Sequence, residues 1–509
     1  MVTTAQETER KFEAAGHDLR LILSDLPGAG GQAGPEEQVL EAVYYDTRDL
    51  RLGRAGVTLR RRSGGDDAGW HLKLPAGGDS RDELRVPLGR SEPGNAPPAE
   101  LAVLTRVHAR GATLHPVALV TTRRLRWRLS DGAGEQVAEV VDDHVIAHTL
   151  GSQTTAKSWR EVEVELVGHG KPQFLDRVER QLGKVGIRRS AAASKLARLL
   201  GDRVSGRTPS PAPDARSRAG AAVLAYLGSH AAELTRYDPL VRQQVPDAVH
   251  QMRVATRRMR SALQVFGKVI EPDRARRLIT ELKWLGEVLG PARDLEVLQE
   301  RFEEATAAQP TEEVAGPVRQ RFIRYFARRE ADAAADVRAA LDDPRYFALL
   351  DDIDALLGDP PLTRRARRPA RSELPRLIRR VDTKLTARMR HADQQPPGPA
   401  RNTALHEVRK AAKRLRYGTE AVQPVVGKPA RRFRKRVKAV QQLLGEHQDA
   451  VVSRPVLREI AMQAYLDGEN GYTFGLLHGE QTAVIQRTDA ALPHAWRRLT
   501  ARKRRRWLS

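Results

Sequence analysis

The periodicity of the chain changes at one proline-rich stretch, and that change decides the architecture. Val204–Arg216 reads VSGRTPSPAPDAR, in which Pro alternates with Ser, Gly and Ala, the composition of a semi-extended linker. Before it, many segments alternate charged and apolar residues at every second position, the period of a strand. After it, runs such as Val249–Phe266 (VHQMRVATRRMRSALQVF) and Leu278–Gly290 (LITELKWLGEVLG) repeat their apolar residues with helical spacing. A chain of 509 residues suits two to four domains. The expectation is a multidomain α+β protein. A β-rich domain with flanking helices covers 3–203, a linker 204–215, an all-helical domain 216–500 and a basic tail 501–509.

Charge divides at the same place. Lys and Arg number 87 against 64 Asp and Glu, a net +23. Residues 1–203 hold 30 basic and 28 acidic residues, so nearly the whole surplus, +21, belongs to the helical part. Such an excess points to a polyanion: nucleic acid, anionic lipid or polyphosphate. Aromatic residues are only 5% and do not interleave the basic faces, which disfavours nucleic acid. The absence of Cys excludes a disulfide framework, a thiol nucleophile and thiolate-bound metal. No apolar run reaches the roughly 18 residues of a membrane span. Met1–Lys11 lacks a cationic-then-apolar signal pattern, so a soluble cytoplasmic protein without a membrane partner is expected.

Within the β-rich part, one strand face is repeatedly charged. Glu7, Glu9 and Lys11 share a face, as do Arg60 and Arg62. Lys73 opposes Trp70, Leu72 and Leu74, and Glu161, Glu163 and Glu165 oppose Val162, Val164 and Leu166. Any one of these fits an antiparallel sheet with a wet face, where Glu pairs with cross-strand Arg. Together with Arg81/Arg85 and Arg124/Arg126 they suggest more. A sheet closed on its charged face would form a tunnel lined with carboxylates and cations. Carboxylates suit hard divalent metals and Arg and Lys suit phosphate oxygens, so a triphosphate held between the two would neutralise the lining.

The ordered set ExExK (Glu7–Lys11), YYDT (Tyr44–Thr47), TLRRR, WHLKLP, RDEL, AEVVDDHV, WREVEVEL and Ser194-Lys195 resembles the CYTH, or triphosphate tunnel metalloenzyme, superfamily over about residues 3–200. The resemblance implies an eight-stranded antiparallel tunnel that binds triphosphate with Mg²⁺ or Mn²⁺. By position, Glu7, Glu9, Glu163 and Glu165 would be metal ligands and, with Lys11, the catalytic set. Lys11, Arg60, Arg62, Lys73, Arg124, Arg126 and Lys195 would hold phosphates, with Arg81 a further candidate. Glu83, Glu139, Asp143 and Glu161 would be additional inward acids. Asp143 shares parity with Glu139 and Asp142 does not. The implied chemistry is metal-assisted phosphoryl transfer to water, with Arg and Lys stabilising the developing charge. No side chain identifies itself as the general base. Two other patterns carry little. Gly28–Ala33 fits G-x-G-x-x-A, but no strand precedes it, so it reads as a flexible loop. His406-Glu407 lacks the second His of a zinc motif.

The helical part contains an internal duplication. His250-x-x-Arg253-x-x-x-Arg257-Arg258-x-Arg260 returns as His406-x-x-Arg409-x-x-x-Lys413-Arg414-x-Arg416, shifted by 156. Lys283…Leu289-Gly290…Asp294 returns as Lys438…Leu444-Gly445…Asp449, shifted by 155. Two related bundles, about 216–355 and 374–500, follow. His250, Arg253, Arg257 and Arg260 share one helical face, as do His406, Arg409, Lys413 and Arg416. Cations so crowded repel until a polyanion bridges them. The doubled pattern resembles the CHAD, conserved histidine α-helical, domain over about 216–500. That resemblance implies polyphosphate binding by His250, Arg253, Arg257, Arg258, Arg260, Lys283, His406, Arg409, Lys413, Arg414, Arg416 and Lys438. Pro- and Arg-rich stretches near 358–373 and 394–401 read as mobile loops, and Arg502–Trp507 as a solvated or frayed end.

The expectation is a divalent-metal-dependent hydrolase of inorganic triphosphate or polyphosphate, with the helical domain binding long chains and the protein associated with polyphosphate granules. The alternative is a non-catalytic polyphosphate-targeting protein with an idle tunnel. Tripolyphosphate, thiamine triphosphate, nucleoside triphosphate and long polyphosphate present the same groups, so the substrate stays open, as does the oligomeric state.

Overall fold

The computed structural model describes residues 3–14, 31–89, 96–151, 153–204 and 212–508. The chain divides into two compact units, 1–209 and 210–509. Gly28–Gly30 and 205–211 of the linker lie outside the described residues. Gly31–Ala33, expected in a loop, instead open a long strand, β2.

The first unit is one antiparallel sheet. Its strands are β1 (Thr3–Glu13), β2 (Gly31–Asp46), β3 (Thr58–Ser63), β4 (Gly69–Gly77), β5 (Ser80–Pro87), β6 (His115–Ser130), β7 (Gln136–Thr149), β8 (Ala156–Leu166) and the short β9 (Arg188–Arg189). The order is β5-β4-β3-β2-β6-β7-β8-β1-β9, and β1 pairs with β5 as well as with β8. The ladder of the first eight strands therefore returns to its start. Alternation then gives every strand one charged and one apolar face.

The apolar faces carry helices. Phe12, Trp127, Val140, Val162 and Val164 pack on Phe174, Leu175, Val178 and Leu182. Leu59, Trp70, Leu72 and Leu84 pack on Leu101 and Leu104. Between β2 and β3 lies the short helix α1 (Arg51–Arg54), and the two packed helices are α2 (Ala99–Ala109) and α3 (Pro172–Lys184). The YYDT motif is the knot that turns β2 into α1. Fully buried Asp46 accepts the backbone N–H groups of Thr47, Leu52 and Gly53 at 2.7–2.9 Å. A fourth helix, α4 (Lys195–Leu200), starts where the Ser194 hydroxyl accepts the Ala197 N–H. Its Leu196, Leu199 and Leu200 pack on Ala42, Tyr44, Ala118, Val120, Val145 and Ala147.

The second unit is all helical. A four-helix order occurs twice with similar lengths. The first set is α5 (Ala219–Arg242), α6 (Ala248–Phe266), α7 (Pro272–Ala307) and α8 (Val318–Asp342). After α9 (Pro344–Gly358), the order returns as α10 (Ala370–Asp393), α11 (Pro399–Ala421), the one-turn α12 (Gln423–Val426), α13 (Lys428–Leu466) and α14 (Tyr472–Thr500). Among the described residues, no helix is long and apolar enough to cross a membrane.

Two expectations are corrected here. The stretch between α9 and α10 is tied down by backbone bridges Ile270–Leu362 and Arg218–Pro369, and by ion pairs from Arg365 and Arg368 to the buried Glu373. The basic tail is docked. Arg505 bonds Asp382 and Thr386 at 2.9–3.0 Å, the Trp507 ring meets Phe433 edge-on, and Leu508 is buried. Tail cations are held because apolar residues at the far end anchor them.

Candidate functional site

The charged faces of β1–β8 surround a cavity of about 440 Å³. Strand parity puts the lining there, since Glu7, Glu9 and Lys11 of β1, Lys73 of β4 and Glu163 and Glu165 of β8 are all odd-numbered neighbours on one face. Lys195 and Ser194, at the start of α4, complete it. The lining carries nine basic and eight acidic side chains, so it is close to neutral by itself.

Pairing across the strands is uneven. Glu7 contacts Lys73 and lies 2.9 Å from Arg85. Lys11 contacts Glu163 and lies 3.2 Å from Glu9. Glu9, by contrast, faces Glu165 across the β1–β8 ladder, and Glu165 faces Glu139 across β8–β7. Like charges directly opposite destabilise a sheet unless something sits between them. Among the described residues, Glu165 has no hydrogen bond or ion pair. Burial, and then the Glu7 carboxylate with help from Glu9 and Glu163, push its carboxyl up to about 7. Burial also raises Glu7 against the pull of Lys73, whereas Lys11 and Lys73 overcome burial to hold Glu9 below the usual carboxylate range.

On the opposite wall the cations have fewer partners. Arg60 is half-buried, donates to the Tyr44 hydroxyl at 3.4 Å, and has no carboxylate within ion-pair distance among the described residues. Burial, then Arg60 and Arg124, push Arg62 down to about 9 against the pull of Glu83, and it contacts Asp67. Arg126 reaches out to Glu36 and Asp66 at 2.6 and 2.8 Å. Arg81 donates to the Ala193 carbonyl.

Asp143 and Glu161 do not line the cavity. With Glu163 they form a cluster whose oxygens lie within 4.8 Å of each other, close enough to hold a divalent cation jointly. Lys195 Nζ is 2.8 Å from each of the three. Arg124 also bonds Asp143 at 2.7–2.8 Å. Although burial opposes ionisation, Lys195 and Arg124 hold Asp143 below its ordinary range, and Lys11 and Lys195 hold Glu163 well below.

Sequence reasoning gave Tyr44 and His71 no role, and put Arg85 on a basic face without a site role. His71 is buried, with Nδ1 3.0 Å from Glu83 and Nε2 2.9 Å from the Asp67 carbonyl. Burial, despite Glu83, pushes it down to about 4. Parity could have found all three: His71 is two residues from Lys73, Arg85 two from Glu83, and Tyr44 pairs with Arg60 across β2–β3.

In the second unit, the duplicated basic faces lie on α6 and α11, which pack together. Arg253 bonds Asp294 at 2.8 Å, and Arg409 lies 3.5 Å from Asp449, the same contact in both copies. Gly290 and Gly445 lie under these arginines. A Cβ at either would meet the arginine at ordinary contact distance, 3.6 Å from Arg253 or 3.8 Å from Arg409. Arg257 and Lys413 have no acidic partner among the described residues. Arg257 instead donates to the Tyr417 hydroxyl at 3.2 Å. Burial, then Arg409, Arg257 and Arg253, push Lys413 down to about 6. His406 bonds Gln448 at 2.9 Å, and burial keeps both His250 and His406 below the ordinary histidine value. Arg416 bonds Gln441, whereas Arg258 turns to Glu420 at 3.3 Å. Arg260 and Arg414 are half-buried cations held below their ordinary values by burial, and Lys283 and Lys438 are exposed.

A circuit of charged strand faces followed by twice-written basic helices defines a two-domain protein with a cavity of mixed charge and a duplicated basic helical face. Residues 5–200 match the CYTH domain and residues 225–458 the CHAD domain, and the chain belongs to the family in which a CYTH domain is followed by a CHAD domain. Among its relatives is the uncharacterized protein Rv2226 of Mycobacterium tuberculosis, 36% identical over 97% of this chain and 96% of that protein. Among solved structures, the CHAD domain from the plant Ricinus communis is 27% identical, covering 58% of this chain and 98% of that one, with a TM-score of 0.43. PptA from Streptomyces chartreusis is 21% identical, covering 55% and 100%, with a TM-score of 0.47. The CYTH–CHAD architecture and the acidic cluster are consistent with a metal-dependent phosphohydrolase-type activity.

Proposed function

We propose that the chain is a divalent-metal-dependent hydrolase of inorganic triphosphate or polyphosphate, acting in a tunnel formed by β1–β8, and that its second unit binds polyphosphate. The observation that carries this reading is the enclosed lining, in which, among the described residues, half-buried Arg60 lacks a carboxylate and half-buried Glu165 lacks a cation at ion-pair distance. A phosphate chain supplies the first deficiency. Because the lining is already near neutral, a polyanion entering alone would leave an enclosed negative excess, which is costly at low dielectric. Divalent cations entering with it remove that excess.

The donors fit such a cation. Glu165, Glu9 and Glu7 offer hard carboxylate oxygens, the set Mg²⁺ and Mn²⁺ prefer. A bound divalent ion there would withdraw charge from phosphate oxygens. The chain's own residues do the rest. Arg60, Arg62, Arg81 and Arg126 orient the phosphates and stabilise charge on the transferred group. Tyr44 fixes the Arg60 guanidinium, and His71 fixes Glu83. In the second unit, Arg253, Arg257, Arg409 and Lys413 form a cationic face that a phosphate chain would relieve of self-repulsion.

The test is phosphate release from tripolyphosphate with Mg²⁺ or Mn²⁺. Glu165→Gln should lower the rate by about 10²-fold or more, the size expected when an electrostatic element of a phosphoryl-transfer site is removed. Wild-type turnover by that variant would overturn the site. Polyphosphate binding with no release under either metal would favour the targeting function.

A further inference from the structure

Three carboxylates spaced to hold a metal ion already share a cation. Asp143, Glu161 and Glu163 present oxygens within 4.8 Å of one another. Three ionised carboxylates at that spacing cannot persist in a buried site without positive charge among them. Lys195 supplies it, with Nζ 2.8 Å from an oxygen of each. The ammonium donates one hydrogen bond, to Glu163, and holds Asp143 and Glu161 at ion-pair distance. Both oxygens of Glu163 are engaged, one by Lys11 and Lys195 and the other by Arg124 at 3.5 Å.

The arrangement is fixed from both sides. Asp143 is fully buried, and Glu161 and Lys195 are 2% and 7% exposed. The Trp159 indole N–H holds the second oxygen of Glu161 at 2.6 Å. Ser194 caps α4, and Leu196, Leu199 and Leu200 bury the rest of the helix against the sheet. Withdrawing Lys195 would expose those leucines as well as strand three charges.

We infer that Lys195 is a resident cation that permanently fills the Asp143/Glu161/Glu163 cluster, so that divalent metal is confined to the Glu7/Glu9/Glu165 corner. Lys195 is then a positioning residue, and Glu163 is withheld from the metal set. The confinement rests on the metal-dependent reading of the cavity; the filling of the cluster does not.

Counting Mn²⁺ on the full-length chain, from the free-ion electron paramagnetic resonance signal, tests this. Glu161→Gln keeps a hydrogen-bonding oxygen and lies off the cavity, so the wild-type count should be unchanged. Lys195→Met should gain one Mn²⁺ site per chain, and adding Glu161→Gln to it should abolish the gain. Loss of a site in Glu161→Gln alone, or no gain in folded Lys195→Met, overturns the inference. If Lys195→Met does not fold, the Glu161→Gln count decides. A wild-type chain that binds no Mn²⁺ would refute the metal-dependent reading, while the gain in Lys195→Met would still decide whether Lys195 fills the cluster.

Discussion

Lys413 should make polyphosphate binding proton-linked. It sits on α11 among Arg409 of its own helix and Arg253 and Arg257 of α6, with Asp449 of α13 as the opposing charge. Burial and those guanidiniums push it down to about 6, so it is mostly neutral in the free protein at pH 7.5. A phosphate chain laid on this face cancels the repulsion and favours the ammonium. Affinity therefore falls as pH rises above about 6, and each unit between about pH 7 and 9 should cost up to tenfold, or about 1.4 kcal/mol. His250 and His406 are also held below the ordinary histidine value by burial, so any slope they add on binding is what persists in Lys413→Arg. Arginine does not titrate there, so Lys413→Arg should flatten the profile. In the free protein the same displacement makes the second unit more stable as pH rises from about 6 towards the ordinary lysine value, because unfolding takes up a proton. The assay is polyphosphate titration of the full chain at constant ionic strength from pH 6 to 9, with calorimetry in two buffers to count protons. A flat wild-type profile, or equal slopes in wild type and Lys413→Arg, would refute the reasoning.

Acid should unfold the first unit by a defined route. Glu163 and Asp143 have folded values below their unfolded ones, so their stabilisation is present at neutral pH and lost as pH falls through the ordinary carboxylate range and below. The melting temperature of the β-sheet circular dichroism signal should drop between about pH 5 and pH 3, and an unchanged midpoint would contradict this. Trp507→Ala should destabilise the second unit by about 1–3 kcal/mol, through lost burial and the lost edge contact with Phe433. Calorimetry showing no shift would mean that the tail does not dock.

The strand faces were legible because alternation is local. Glu7, Glu9, Arg60, Lys73, Glu163 and Glu165 announce their side of the sheet by parity alone, and parity also chose Asp143 over Asp142. What parity cannot give is depth along the cavity. Asp143 and Glu161 share the inward face, yet they lie beneath Lys195, because α4 enters only at that level. Nor does parity reveal partnership. Glu163 and Glu165 are two residues apart and similar in sequence terms, but one is surrounded by cations and the other by carboxylates. In the helical unit the duplication disclosed the basic faces. The rotation of Arg258 towards Glu420 depends on how α6 meets α11, and the helical wheel of α6 does not contain that. The tail was misread because its charge outweighed two residues, Trp507 and Leu508, whose burial fixes its place.

The register of β1 bears on the order in which the chain can fold during synthesis. This first strand finds its neighbours in β5 and β8, the latter translated some 150 residues later (Lys11 opposite Glu163), and the ammonium that quiets β8 arrives later still, on α4. Loop closure over such separations is slow. Thr3–Thr8 can find β5 once residue 87 has emerged, whereas Glu9–Phe12 wait for β8, and the ring shuts only after about residue 166.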